Sequence, residues 1–143
     1  VIQRFGQDMR YFNTFGGNTV AVAAAQATFD VIREEGLMAN ADAIGRYLRD
    51  GLAALAKQYE VIGDVRGTGL YIGVEMVRDR GTKEPNREAA LAVVNGLRER
   101  RVLISATGYH ANTLKIRPPL VFAKSHADRL LTELDAVLRT VAA

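Results

Sequence analysis

Thr14 sits inside Phe12-Asn13-Thr14-Phe15-Gly16-Gly17-Asn18, a run that leads straight into an alanine-rich segment of helical pattern. A hydroxyl, two freely turning glycines and the unpaired N–H groups of a helix start form surroundings suited to an anion. A glycine pair before a helix also serves as a plain tight connection, so the run alone leaves both readings open. A second candidate is the strand-like Thr113-Leu114-Lys115-Ile116-Arg117. Its period of two puts Lys115 and Arg117 on one face, either as edge-strand charges or as a grip for an anionic group. His110, in Gly108-Tyr109-His110-Ala111-Asn112, reads first as an exposed loop residue, with approach to a ligand as the alternative. Lys57, Lys83 and Lys124 read as solvated charges, and Arg66 as a structural ion-pair or backbone-clasping residue.

The elements that must position these groups follow from pattern. Residues 1–17 have no clean period and read as loop. Asn18 is suited to cap a helix over 19–35 whose first turns are apolar on every side, and Gly36 to end it. Leu37, Ala41, Ile44, Leu48, Leu52 and Leu55 recur at helical spacing over 37–58. The glycines of 62–69 call for turns or a bulge, and residues 70–77 read as a strand. A polar loop over 78–86 precedes a helix over 87–101. Val102 to Ser105 reads as a short buried strand, and a last helix follows Ser125, which forms a Ser-x-x-Asp capping box with Asp128. This order predicts an α+β fold: a small, mostly antiparallel sheet covered by helices, preceded by a long linking helix.

Composition narrows the classes. The 143 residues, 48% of them apolar, suffice for one domain with a core. The sequence contains no cysteine, which excludes disulfides and thiolate–metal sites. Net charge is only +3, and the basic residues form no block interleaved with aromatics, so nucleic-acid binding finds no support. No apolar run approaches membrane-spanning length and no leader pattern opens the chain, so a cytoplasmic protein without membrane contact is expected. Val1 is not an initiator methionine, and the expectation is a C-terminal piece of a longer protein.

Four stretches together resemble the C-terminal third of class III (fold type I) pyridoxal-phosphate aminotransferases. They are Phe12 to Asn18, Val31-Ile32-Arg33-Glu34-Glu35-Gly36-Leu37, Gly63-Asp64-Val65-Arg66-Gly67-Thr68-Gly69-Leu70 and Lys115-Ile116-Arg117-Pro118-Pro119-Leu120. Their order and spacing match over nearly the whole chain. The resemblance implies three segments: residues 1–17 as the cofactor-phosphate loop and tail of the large domain, 18–36 as linking helix, and 37–143 as the small C-terminal domain. It also implies pyridoxal 5′-phosphate as cofactor, with Thr14 donating to its phosphate and Asn13 and Phe15 beside it. That loop reaches a neighbouring subunit's active site, so a homodimer is implied.

The activity implied is transfer of an amino group between an amino acid or ω-amine and a keto acid. The family's Schiff-base lysine lies upstream of this loop, so no catalytic residue is expected here, and the piece alone is expected to be inactive. Lys115 departs from the family pattern, in which arginine commonly grips the substrate carboxylate as a fork. A family subgroup that eliminates phosphate from phosphorylated amines has lysine there. A lyase of that kind is the alternative function, and a non-catalytic α+β binding or assembly module is the other. Arg101 replaces a glycine usual in the family, which predicts a strained or re-routed turn.

Overall fold

Leu48, Leu52, Val93, Leu97, Leu134 and Leu138 are fully buried, and all lie on three of the helices expected from the sequence. The computed structural model that reveals this describes residues 2–141. Val1, Ala142 and Ala143, placed by the sequence reading in the first and last segments, lie outside the described residues. The chain divides into two units after Glu35.

The C-terminal unit begins with α3 (Leu37–Gln58) and continues with β1 (Ile62–Thr68), β2 (Tyr71–Asp79), β3 (Glu84–Pro85), α4 (Arg87–Glu99), β4 (Ser105–Thr107), β5 (Thr113–Ile116) and α5 (Lys124–Val141). The strands form an antiparallel sheet in the order β1-β2-β5-β4, with β3 on β2. Alternate residues Ile72, Val74, Met76, Leu114 and Ile116 are buried and join the helices' leucines in one apolar cluster. The helices therefore cover one face of the sheet and leave the other open. The α+β fold expected from element order is the one observed.

Local chemistry sets the joints. Gly45 is buried on α3, and a Cβ there would run into the carbonyl of Gly69, itself left-handed at φ 48°. Only a glycine lets the helix lie this close to the β1–β2 turn. Arg80 closes the C-terminal end of α3 by donating to the carbonyls of Ala56, Tyr59 and Ile62. Two polar latches join α5 to α3. Tyr47 donates to Asp128, which Lys124 also holds at 3.0 Å. Tyr59 donates to Asp135 at 2.7 Å, and Arg139 holds the same carboxylate at 2.6 Å. The hydroxyl in each case, seconded by the cation, keeps Asp128 and Asp135 below the usual carboxylate range.

Several local expectations need correction. Residues 62–68 pair as a strand, with the expected bulge between Ile62 and Asp64, because their polar positions face the open side. The polar loop contains the two-residue β3. The strand expected over 102–105 lies at Ser105–Thr107 and is an edge, not buried: Leu103 is 87% exposed. The Ser125 box does not form. The helix already begins at Lys124, Asp128 is committed to Tyr47 and Lys124, and His126 Nδ1 accepts the Ala123 N–H at 3.2 Å.

The N-terminal unit holds α1 (Ile2–Asp8) and α2 (Thr19–Glu34). Helix α1 was expected as loop. It is too short for a period to show, and an Arg4–Asp8 pair one turn apart at 3.3 Å supports it. Asn18 caps α2 as predicted, its Oδ1 accepting the Ala21 N–H at 3.0 Å, and Gly36 follows its end in the left-handed region at φ 62°. No residue of α2 is buried within this unit, and Val20, in its all-round apolar first turns, is 76% exposed.

Candidate functional site

The open face of the sheet carries two rows of side chains fixed by strand register. Arg66, Gly73, Lys115 and Ser105 face one another in one row, and Asp64, Glu75, Thr113 and Thr107 in the next. Asp64 and Glu75 stand directly opposite, an arrangement that repels unless a cation intervenes. Arg66 supplies it, at 2.8 Å from Asp64 and 2.6 Å from Glu75. Asp64 first, then Glu75, raises the Arg66 pKa further above its already high value. Arg66 is thus the ion-pair residue read from sequence, and its charge is spent on the two carboxylates of the neighbouring row.

Lys115 has no such partner among the described residues and is half-buried in β5. Gly73 beside it leaves a dip. A Cβ there would come to 3.1 Å from Thr113 Cγ2, and the space is part of a shallow groove of about 430 Å³ that Lys115 also borders. On its other side Lys115 reaches a larger groove of about 680 Å³, which Arg117 also lines from just beyond the end of β5. The two cations predicted to share a face therefore share a groove. Arg101 and Arg129 line it too, and neither was singled out as an anion-binding residue in the sequence. The one available signal was Arg101 standing where the family has glycine, and Arg101 is left-handed at φ 61°. That conformation costs a side-chain-bearing residue about 1–2 kcal/mol.

Thr14 lies in the N-terminal unit, in the turn before α2, and its hydroxyl makes no hydrogen bond among the described residues. Asn13 shapes the turn. Its Oδ1 accepts the Phe15 N–H at 3.1 Å and its carbonyl accepts the Gly16 N–H at 3.4 Å, while Asn18 N–H donates to the Phe15 carbonyl at 3.0 Å. The Phe15 amide is therefore occupied. The Thr14 hydroxyl is left uncommitted among the described residues, in front of a capped helix start whose dipole favours negative charge. A phosphate, with its several acceptor oxygens, fits that donor. Phe12 and Phe15 flank it at 86% and 76% exposure.

His110 is exposed at the β4–β5 connection, its ring edge-on to Tyr109 at 4.8 Å. Together with Arg87 it borders a separate groove, and Lys115 is not part of that lining.

Residues 2–138 match the family model for class-III aminotransferases, and the chain belongs to that family. The family's cofactor is pyridoxal 5′-phosphate. Among relatives, the chain is 46% identical to alanine–glyoxylate aminotransferase 2 homolog 2, mitochondrial, of Arabidopsis thaliana, over 87% of this chain and 26% of that protein. Among solved structures it resembles a phospholyase from Arthrobacter in complex with phosphoethanolamine, with a TM-score of 0.88 and 41% identity over 97% of this chain and 33% of that one. It also resembles a PLP-bound amine transaminase from an uncultivated Pseudomonas species, with a TM-score of 0.82 and 29% identity, over 95% of this chain and 31% of that one. The chain thus spans about a quarter to a third of the length of these proteins.

Proposed function

We propose that this chain forms the cofactor-phosphate loop and small domain of a homodimeric class III aminotransferase, which moves an amino group between an amino acid or ω-amine and a keto acid. The observation that carries the reading is the Thr14 hydroxyl, uncommitted at a helix start within a family match that runs from residue 2 to 138. Thr14 would hold the phosphate of pyridoxal 5′-phosphate by a charge-assisted hydrogen bond, worth about 1.5–3 kcal/mol. Asn13 and Phe15 keep the turn in shape for it. When bound, the cofactor supplies an electron sink for charge developing at the amine-bearing carbon.

The chain's own part is binding and orientation. The exposed Phe12 and Phe15 offer apolar surface for a second copy to cover, which supports a loop shared between subunits. Lys115 and Arg117 would orient the substrate by its anionic end. Lys57, Lys83, Lys115 and Lys124 lie outside the family motif of the Schiff-base lysine, so that group would come from outside these 143 residues and the piece alone would be inactive.

One observation favours a second reading. Lys115 is a point charge rather than a fork, and the Arthrobacter neighbour was solved with phosphoethanolamine. A lyase acting on a phosphorylated amine would use the same pocket. An absorbance scan of the intact protein tests for the cofactor. A panel of amino acids, ω-amines and phosphorylated amines, with keto acid and phosphate release both followed, then separates transfer from elimination. A protein without a cofactor band, dimer or no dimer, would leave the non-catalytic module as the answer.

A further inference from the structure

Asn40 stands in the first turn of α3 and is half-buried. Asparagine is a poor helix former, because its side chain competes for nearby backbone groups. Here the amide reaches out of its helix instead. Its Nδ2 donates to the carbonyl of Leu120 at 2.7 Å and to that of Phe122 at 3.1 Å, 80 and 82 residues away in sequence. Both amide hydrogens are thereby used. Those carbonyls belong to residues 117–123, the irregular stretch between β5 and α5. Pro118 and Pro119 lack an N–H and fix their own φ, so the stretch is stiff but poor in backbone hydrogen bonds. Among the described residues, the only hydrogen bonds that reach 118–123 from outside the stretch and α5 are the two from Asn40. Arg117, Pro118, Pro119 and Phe122 form one wall of the groove of about 680 Å³, and Asn40 is not part of its lining.

We propose that Asn40 is a positioning residue for Arg117: by holding the Leu120 and Phe122 carbonyls, it sets where the Arg117 guanidinium meets an anionic group. The inference rests on the reading above that Arg117 helps to orient the substrate, and it adds the residue that fixes Arg117 in place. Ladder pairing of β5 ends at Ile116, so the sheet does not set the backbone beyond it. Arg117 is exposed, and the proline after it restricts its backbone to extended conformations. Two consecutive prolines then carry a shift at Leu120 back to Arg117 as a stiff unit. Without the Asn40 amide both carbonyls would turn to water, and the guanidinium would sample more positions. An arginine ordered before binding loses less freedom on meeting an anion.

The test is calorimetric titration of the intact protein with benzoate, an unreactive carboxylate, against benzamide as its uncharged control. Asn40→Leu and Asn40→Ser remove the donors without adding charge. Each is expected to weaken benzoate binding about five-fold and to leave benzamide unchanged. Thermal midpoints show which of the two variants fold, and either alone decides. Asn40→Gln keeps both donors on a longer stem and should recover most of the loss. A merely structural role would weaken both probes alike, and that result, or an unchanged benzoate affinity, overturns the proposal. In an Arg117→Gln background Asn40→Leu should add nothing, since the group it positions is gone, and a full additional loss there also overturns it. If Arg117→Gln removes the preference for benzoate while the Asn40 variants keep it, Asn40 is wrong and the reading of Arg117 stands. A parent without that preference, or an Arg117→Gln variant that retains it, ends the reading of Arg117 and the proposal with it.

Discussion

The two units of this chain solve the burial problem in opposite ways. From Gly36 onward, buried residues of three helices and the inner face of the sheet form one cluster with no buried side-chain polar atom left unsatisfied among the described residues. Up to Glu35 no described residue is buried, although Phe5, Phe12, Phe15, Val20 and Phe29 are all apolar. Apolar area removed from water stabilises by roughly 25 cal/mol per Å², so the second unit carries its own stability and the first does not. The difference teaches where each unit gets its order. The C-terminal unit obtains it from internal packing, and the N-terminal unit from caps and short-range ion pairs such as Asn18–Ala21 and Arg33–Asp30.

That contrast can be broken by substitution, and the largest effect is expected in the core. Leu134→Ala, at a fully buried site, should lower the unfolding free energy by about 3 kcal/mol in a urea titration followed by circular dichroism. A loss below about 1 kcal/mol would mean that the cluster is not the source of stability. Gly45→Ala should cost about 2 kcal/mol in the same titration, because the added methyl must push α3 off the Gly69 carbonyl. Thr14→Val sharpens the comparison from the other side. It should weaken cofactor binding by the intact protein roughly ten-fold or more, read from the absorbance band, while leaving the urea transition of the C-terminal unit in place.

Acid should act next, and more gently. Asp128 and Asp135 are held below the usual carboxylate range by Tyr47 and Tyr59, with Lys124 and Arg139 assisting. A depressed native pKa means the unfolded chain binds protons first as pH falls. The latches therefore contribute fully above the ordinary carboxylate pKa of about 4 and lose their contribution as pH drops through the lower native values. Both latches lie at the surface, so solvent keeps the effect small. Asp135→Asn should flatten the acid limb of thermal midpoint against pH, and an unchanged limb would remove this latch from the account. The smallest effect is expected for Phe29→Ser on α2, within about 0.5 kcal/mol in folding stability, because the side chain is 58% exposed. Light scattering of the same variant should show less self-association than the parent, and a monomeric parent would show that the exposed apolar groups are not adhesive.

Much of the molecule was legible before any coordinates. Leu48, Leu52, Leu55 and the stripe on α5 follow from a period of 3.6, which depends only on backbone geometry. Asn18 and Gly36 bound α2 for equally local reasons, a side-chain acceptor and a missing Cβ. The errors lie where a local signal was outvoted. The Ser125–Asp128 box matches its pattern, yet Asp128 binds a tyrosine 81 residues away in sequence. The strand expected at Val102 was displaced because pairing with β5 begins only at Ser105. The all-round apolar first turns of α2 find no partner within their unit.

Residue types and short spacings determined the helices, their caps, the antiparallel strand pattern, the turn around Thr14 and the shared face of Lys115 and Arg117. All of these depend on interactions spanning a few residues. The tertiary structure alone decided that Arg66 is neutralised by Asp64 and Glu75 while Lys115 has no ion-pair partner among the described residues, and that Arg101 and Arg129 join it at one groove. Which charges cancel is a matter of distance between strands and helices far apart in the chain, and no local pattern encodes it.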